Sequence, residues 1–115
     1  MSKPTVYITR RRVSDAISML EDFCEVKVWE ENYPPPKNTL IDHLQNCQGI
    51  LAEADDSIDV DVLQASNSLK VVSNRAVGVD NIDIEVATKL GIAVGNTPGV
   101  LHETCADFTF GLILS

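Results

Sequence analysis

Leu69 to Val94 reads L-K-V-V-S-N-R-A-V-G-V-D-N-I-D-I-E-V-A-T-K-L-G-I-A-V, and it holds a strand, a turn, a helix and a second strand in succession. Leu69 to Ser73 is a short apolar run of strand type. Asp83 can cap a helix, which ends near Leu90 because Gly91 supplies a stop. Ile92 to Val94 is then a very short further strand. A helix between two strands carries the chain back across the sheet, so the strands pair in parallel.

The same alternation extends toward the N-terminus. Thr5 to Thr9 reads as the first strand. Ser14 can cap a helix from about Asp15 to Phe23, with Ala16, Ile17, Leu20 and Phe23 on one face. Glu25 to Trp29 (E-V-K-V-W) alternates polar and apolar residues, which suits an edge strand. Tyr33 to Asn38 contains three prolines and reads as a long loop rather than a domain boundary. Thr39 to Gln45 is a short helix with Leu40, Ile41 and Leu44 inward. Gly49 to Ala52 is a strand, and Asp59 caps a helical stretch through about Ala65. After Asn96-Thr97-Pro98 a last apolar helix runs to Ser115. Right-handed crossovers place helices on both faces. The expected fold is α/β: a flavodoxin-like, doubly wound, five-stranded parallel sheet of order 2-1-3-4-5 in three α/β/α layers.

The chain has 115 residues, enough for one domain. Nine Lys and Arg against seventeen Asp and Glu give a net charge of −8. Such a chain repels nucleic-acid phosphates and anionic membrane surfaces, so neither is expected as a partner. No apolar run reaches the roughly 18 residues needed to span a bilayer, and the N-terminus reads as a strand rather than a secretion signal. Cys24, Cys47 and Cys105 are odd in number and widely spaced, which points to a reduced, cytoplasmic chain with no disulfide framework.

Open α/β sheets bind ligands at the carboxyl ends of their strands. Arg10, Arg11 and Arg12 follow the first strand. They offer an anion site or, as charge runs usually do, a solvated basic turn. This loop has no glycine, which disfavours a flavin phosphate site, and it lacks the acidic residues of a phosphoreceiver, for which Asp55 and Asp56 are the only match. Asn74 to Asp83 is richer. Gly78 allows the backbone close to a ligand, successive N–H groups there can hold a carboxylate or phosphate, and Asp80, Asn81 and Asp83 can hold the turn and cap the next helix. An ordinary strand-to-helix turn explains the same spacing. Gly95 to Val100 opens a helix whose free N–H groups suit an anion, but it is neither a dinucleotide fingerprint nor a P-loop. His43 reads as a surface residue. His102 beside Glu103 does not make an acid–base pair, because neighbours at i, i+1 do not face each other. No metal cluster or Ser-His-Asp set can be assembled.

The run N-R-A-V-G-V-D-N-I-D-I-E-V-A-T-K-L-G-I-A-V-G-N-T-P-G-V-L-H-E-T-C-A-D closely resembles the D-isomer-specific 2-hydroxyacid dehydrogenases, most nearly their glyoxylate/hydroxypyruvate reductase branch. The start (K-P-T-V-Y-I-T-R-R) and the middle (I-D-V-D-V-L-Q-A-S-N-S-L-K-V-V-S) look like the same family, so the likeness covers essentially the whole chain. The resemblance implies an oxidoreductase that moves a hydride between NAD or NADP and a small 2-oxo or 2-hydroxy acid. Residues 1–115 would be the N-terminal part of its substrate-binding (catalytic) domain, with about 100–115 starting the helix that crosses to an absent Rossmann domain. By the same likeness Val77 and Gly78 bind the substrate carboxylate, Ala54 and Asp55 lie in a loop touching substrate, and Cys105 approaches the cofactor.

The family's catalytic Arg, Glu–His pair and glycine-rich loop lie beyond this chain. It is therefore expected to be inactive alone, to bind no cofactor alone and to carry no catalytic residue. Where the reductases show an apolar pair followed by Ser or Thr, this chain has Glu53-Ala54-Asp55-Asp56, and either these carboxylates repel an anionic substrate or the loop points elsewhere. A rival expectation is a stand-alone binding module. The apolar last helix, with Phe108, Phe110, Leu112, Ile113 and Leu114, would then pack on a partner or on another copy of the chain.

Overall fold

The computed structural model describes residues 3–10, 14–75 and 78–96. Five strands, β1 (Thr5–Ile8), β2 (Glu25–Val28), β3 (Gly49–Glu53), β4 (Val71–Arg75) and β5 (Ala93–Asn96), form one sheet in the order β2-β1-β3-β4-β5. Every neighbouring pair is parallel. The order reverses between β1 and β3, the place where such sheets open a crevice at their carboxyl ends.

Helix α1 (Ser14–Glu21) covers one face of the sheet, while α2 (Lys37–His43), α3 (Val60–Leu63) and α4 (Ile84–Lys89) connect the remaining strands. Alternation along the strands divides the core accordingly. Val6, Ile8, Leu51 and Val71 pack with Ile17 and Leu20 of α1. Tyr7, Ile50, Ala52 and Val72 pack with Leu40, Val62 and Ala87 from the other three helices. At the β2 edge, Glu25 and Lys27 are exposed, and charges there discourage pairing with another chain.

The helix ends follow their local chemistry. Asp59 accepts from the Val62 N–H and Asp83 from the Val86 N–H, as N-caps do. Helix α4 stops at Gly91, which has φ +73°. The Gly91 N–H bonds the Thr88 carbonyl and the Ile92 N–H bonds the Ala87 carbonyl, a Schellman closure.

Some expected boundaries move. Lys37 and Asn38 belong to α2 rather than to the proline loop, and Lys37 bridges Asp59 and Asp61 at the start of α3, each at 2.8 Å. That contact holds the Asp59 carboxyl below its usual range and raises Lys37 to about 12. Ser14 lies inside α1, which ends at Glu21. Phe23 therefore leaves the helical phase and is 56% exposed rather than inward. The last helix expected from Pro98 to Ser115 lies outside the described residues. Among the described residues no helix is long and apolar enough to cross a membrane.

Tyr7 tests the core directly. Its ring is buried, its hydroxyl meets His43 Nδ1 at 3.1 Å, and burial first and Asp56 second push its pKa up to about 12. The unfolded chain loses this proton near pH 10 while the folded one keeps it. The contribution is thus fully present below pH 10 and is lost as pH rises through 12, a fall of about 2–3 kcal/mol. Urea unfolding at pH 9 and pH 11 should show about half of this fall, about 1.3 kcal/mol, and Tyr7→Phe should flatten it.

Candidate functional site

The carboxyl ends of β1, β3 and β4 are joined by side chains as well as by backbone bonds, the Thr9 N–H to the Leu51 carbonyl and a parallel bridge between Ile58 and Ile82. Just past β1, Arg10 is 0% exposed, so the solvated basic turn expected of the arginine run does not hold there. Its guanidinium reaches Asp56 Oδ1 at 2.9 Å and Asp55 Oδ1 at 2.7 Å, and it donates to the Thr9 carbonyl at 2.6 Å. Asp56, with 1% of its side chain exposed, also accepts from the Thr9 hydroxyl and from the Glu53 N–H at 2.8 Å. Buried charge is tolerated because each ion is paired and hydrogen-bonded. Arg11 and Arg12 lie outside the described residues.

A second set of contacts holds the turn between β4 and α4. Asn74 is wholly buried at the end of β4. Its amide donates to the Gly78 carbonyl at 2.9 Å and to Asn81 Oδ1 at 2.8 Å. Asn81 Nδ2 lies within hydrogen-bond distance of Asn74 Oδ1, the Glu53 carbonyl and the Asp56 carbonyl, at 3.2, 3.0 and 2.8 Å. Two facing amides thus tie the β4–α4 turn to the loop after β3.

Between these two loops lies an open pocket of about 200 Å³ lined by Ala54, Gly78, Asp80 and Asn81. The structure therefore brings together two of the residues expected to touch substrate, Ala54 and Gly78. Among the described residues nothing lies within 4 Å of where a Cβ on Gly78 would stand. Asp55 does not line the pocket, and its carboxylate turns to Arg10. Val77 and Cys105, like His102, lie outside the described residues.

The acidic loop after β3 is compensated. Asp55 and Asp56 share Arg10, and Glu53 Oε2 stands 3.4 Å from Arg75 Nη1. The repulsion expected of these carboxylates therefore meets two cations whose partners the sequence does not reveal. Arg10 and Asp56 are 46 residues apart, and Glu53 and Arg75 are 22 apart. The available signal was an arginine in phase with an inward strand and two aspartates after another strand.

A larger hollow of about 390 Å³, lined by Leu63, Leu69, Leu90 and Ile92 among others, lies toward the amino ends of β4 and β5, away from this site. Among the described residues no group of His, Cys, Asp or Glu is placed to hold a metal ion. A dinucleotide does not fit the described residues either. The turn after β1 has no glycine, and its described side chains, Thr9 and Arg10, are committed to Asp55 and Asp56.

Comparison with known proteins bears on this geometry. The family model described as D-isomer specific 2-hydroxyacid dehydrogenase, catalytic domain, matches residues 6–111. A glyoxylate reductase of Aeropyrum pernix is 43% identical over 115 residues, which is 100% of this chain and 34% of that protein. Among solved structures, a Thermus thermophilus protein is 37% identical with TM-score 0.77, covering 96% of this chain and 35% of its own. An NADPH-dependent glyoxylate/hydroxypyruvate reductase from Sinorhizobium meliloti, solved with NADP and malonate, is 28% identical with TM-score 0.65 and covers 98% and 34%. The chain spans about a third of the length of these relatives.

Proposed function

The chain belongs to the D-isomer specific 2-hydroxyacid dehydrogenase family, and from that premise we propose that it is the substrate-binding part of an NAD(P)-dependent reductase of small 2-oxo acids. The observation that carries the reading is the pocket between Ala54 and Gly78, whose turn is fixed by Asn74 and Asn81. A turn rich in backbone N–H groups and facing open space suits a carboxylate. In this reading the chain's own residues bind and orient the acid. Gly78 and its neighbours receive the carboxylate, Asn74 and Asn81 keep the turn in place, and Arg10 and Arg75 offset the surrounding acids. Hydride transfer requires a nicotinamide held against the substrate carbon. We assign the NAD or NADP site to a longer polypeptide, because the chain spans only 34% of the length of the NADPH-dependent reductase solved with NADP. We also read the location as cytoplasmic, which the free, buried Cys24 and Cys47 support.

The test is direct. The full-length polypeptide should oxidise NADH or NADPH in the presence of glyoxylate or hydroxypyruvate, whereas the purified 115-residue chain should not. No oxidation by the full-length protein with either acid and either cofactor would overturn the reading, and turnover by the short chain would overturn its division of labour.

A further inference from the structure

Asp80 is left without a task by the contacts that build the turn. Asn74 and Asn81 hold the turn together, and Asp83 caps α4. Asp80 is exposed, and among the described residues its side chain has no hydrogen bond or ion pair. Yet Asp80 lines the pocket with Ala54, Gly78 and Asn81. Ala54 and Gly78 bring no polar side-chain atom. The Asn81 amide is spent, because its Nδ2 faces the Glu53 carbonyl, the Asp56 carbonyl and Asn74 Oδ1, and its Oδ1 accepts from Asn74. Among the lining residues, the Asp80 carboxylate is therefore the side-chain group with hydrogen-bonding capacity left.

A carboxylate accepts and cannot donate. It rewards a donor on the ligand and opposes a negative charge. At about 200 Å³ the pocket is smaller than those that take drug-sized ligands, so both ends of a small acid lie near its walls. The acid's one carboxylate turns from Asp80 toward the N–H groups of the turn, and water screens what repulsion is left at an exposed group. The group on the other side of the oxo carbon then turns toward Asp80. We infer that Asp80 is a specificity-determining residue: it favours a 2-oxo acid with a hydroxyl donor beside the oxo carbon and disfavours one with a second carboxylate there. The inference rests on the proposed reduction of small 2-oxo acids and names the members of that class that the pocket selects.

The experiment uses the full-length protein with two readouts. Calorimetry compares oxamate with oxalate, a pair of like shape in which an amide replaces one carboxylate, and it needs no turnover. Steady-state kinetics compares hydroxypyruvate, glyoxylate and ketomalonate, in which a carboxylate replaces the hydroxymethyl group of hydroxypyruvate. Asp80→Ala should shift the oxamate-to-oxalate affinity ratio about tenfold toward oxalate, and lower kcat/KM for hydroxypyruvate relative to glyoxylate by about tenfold. Asp80→Asn keeps an acceptor but drops the charge. It should improve oxalate and ketomalonate several-fold while keeping most of the preference for hydroxypyruvate over glyoxylate, and it decides the matter if Asp80→Ala does not fold. A residue that only held the turn would weaken every ligand alike. That parallel loss, or an oxamate-to-oxalate ratio unchanged in both variants, would overturn the inference. A wild-type protein that reduces none of these acids overturns the proposed function alone if the oxamate-to-oxalate ratio still follows Asp80. One that reduces them with a ratio indifferent to Asp80 overturns the inference alone. One that neither turns over nor binds oxamate or oxalate overturns both.

Discussion

Asp56→Asn lowers the stability of the fold by about 3–5 kcal/mol, the cost of breaking a buried ion pair at one end. Asp56 only accepts: the Thr9 hydroxyl, Arg10 Nη1 and the Glu53 N–H all donate to it. Asparagine keeps the shape but turns an NH2 group toward at least one of these donors and removes the charge that balances Arg10. The guanidinium is wholly buried and its Nε finds no hydrogen-bond partner among the described residues, so it has little left to fall back on. Asp55 makes a shorter contact to the same guanidinium but is 60% exposed, so Asp55→Ala should cost about 1 kcal/mol or less. Thermal and urea unfolding measure the contrast. Hydrogen exchange at the Glu53 amide should also speed up in Asp56→Asn and not in Asp55→Ala. Equal losses in the two variants would mean that the buried pair does not organise this end of the sheet.

This cluster marks where sequence reading stops. The caps at Asp59 and Asp83 and the stop at Gly91 were legible because each acts on residues three or four positions away. The sheet order was legible because strand–helix alternation leaves parallel pairing, and the charged, alternating β2 belongs at an edge. Phe23 was misplaced by two residues of helix: α1 ends at Glu21, and the Phe23 N–H turns back to the Leu20 carbonyl at 2.9 Å. Arg10 was misread for a different reason. A run of three arginines looks solvated when only neighbours are considered, and its partners lie on another strand's loop. The site divides in the same way. Ala54 and Gly78 could be proposed from the sequence and do meet, but the amides and cations that hold them depend on strand register, which spacing along the chain does not state.

Asn81→Leu in the full-length protein is expected to raise the KM for a 2-oxo acid by about 30-fold, the equivalent of about 2 kcal/mol. The Asn81 side chain hydrogen-bonds across both loops of the pocket, through the Glu53 and Asp56 carbonyls on one side and Asn74 on the other. Leucine fills similar volume but leaves the Asp56 carbonyl without its donor, at a cost of about 1–3 kcal/mol where water cannot replace it, while the Glu53 carbonyl keeps the Asp56 N–H at 3.0 Å. Asn74 then keeps its bond to the Gly78 carbonyl but loses the partner that orients its amide. Part of the loss appears as stability, about 2 kcal/mol, and part as a turn that no longer presents its N–H groups in one arrangement. The two parts separate experimentally, because substrate at saturation can reorder the turn but cannot restore the lost hydrogen bonds. KM should therefore rise far more than kcat falls, and oxalate should stabilise the variant less than it stabilises the wild type in thermal unfolding. Asn81→Asp keeps the oxygen that receives the Asn74 amide but loses the donor to both carbonyls. It should fall closer to Asn81→Leu than to wild type if donation across the two loops is what matters. A variant that lost stability while keeping its KM would reduce Asn81 to a turn residue and leave the pocket to be shaped by the backbone alone.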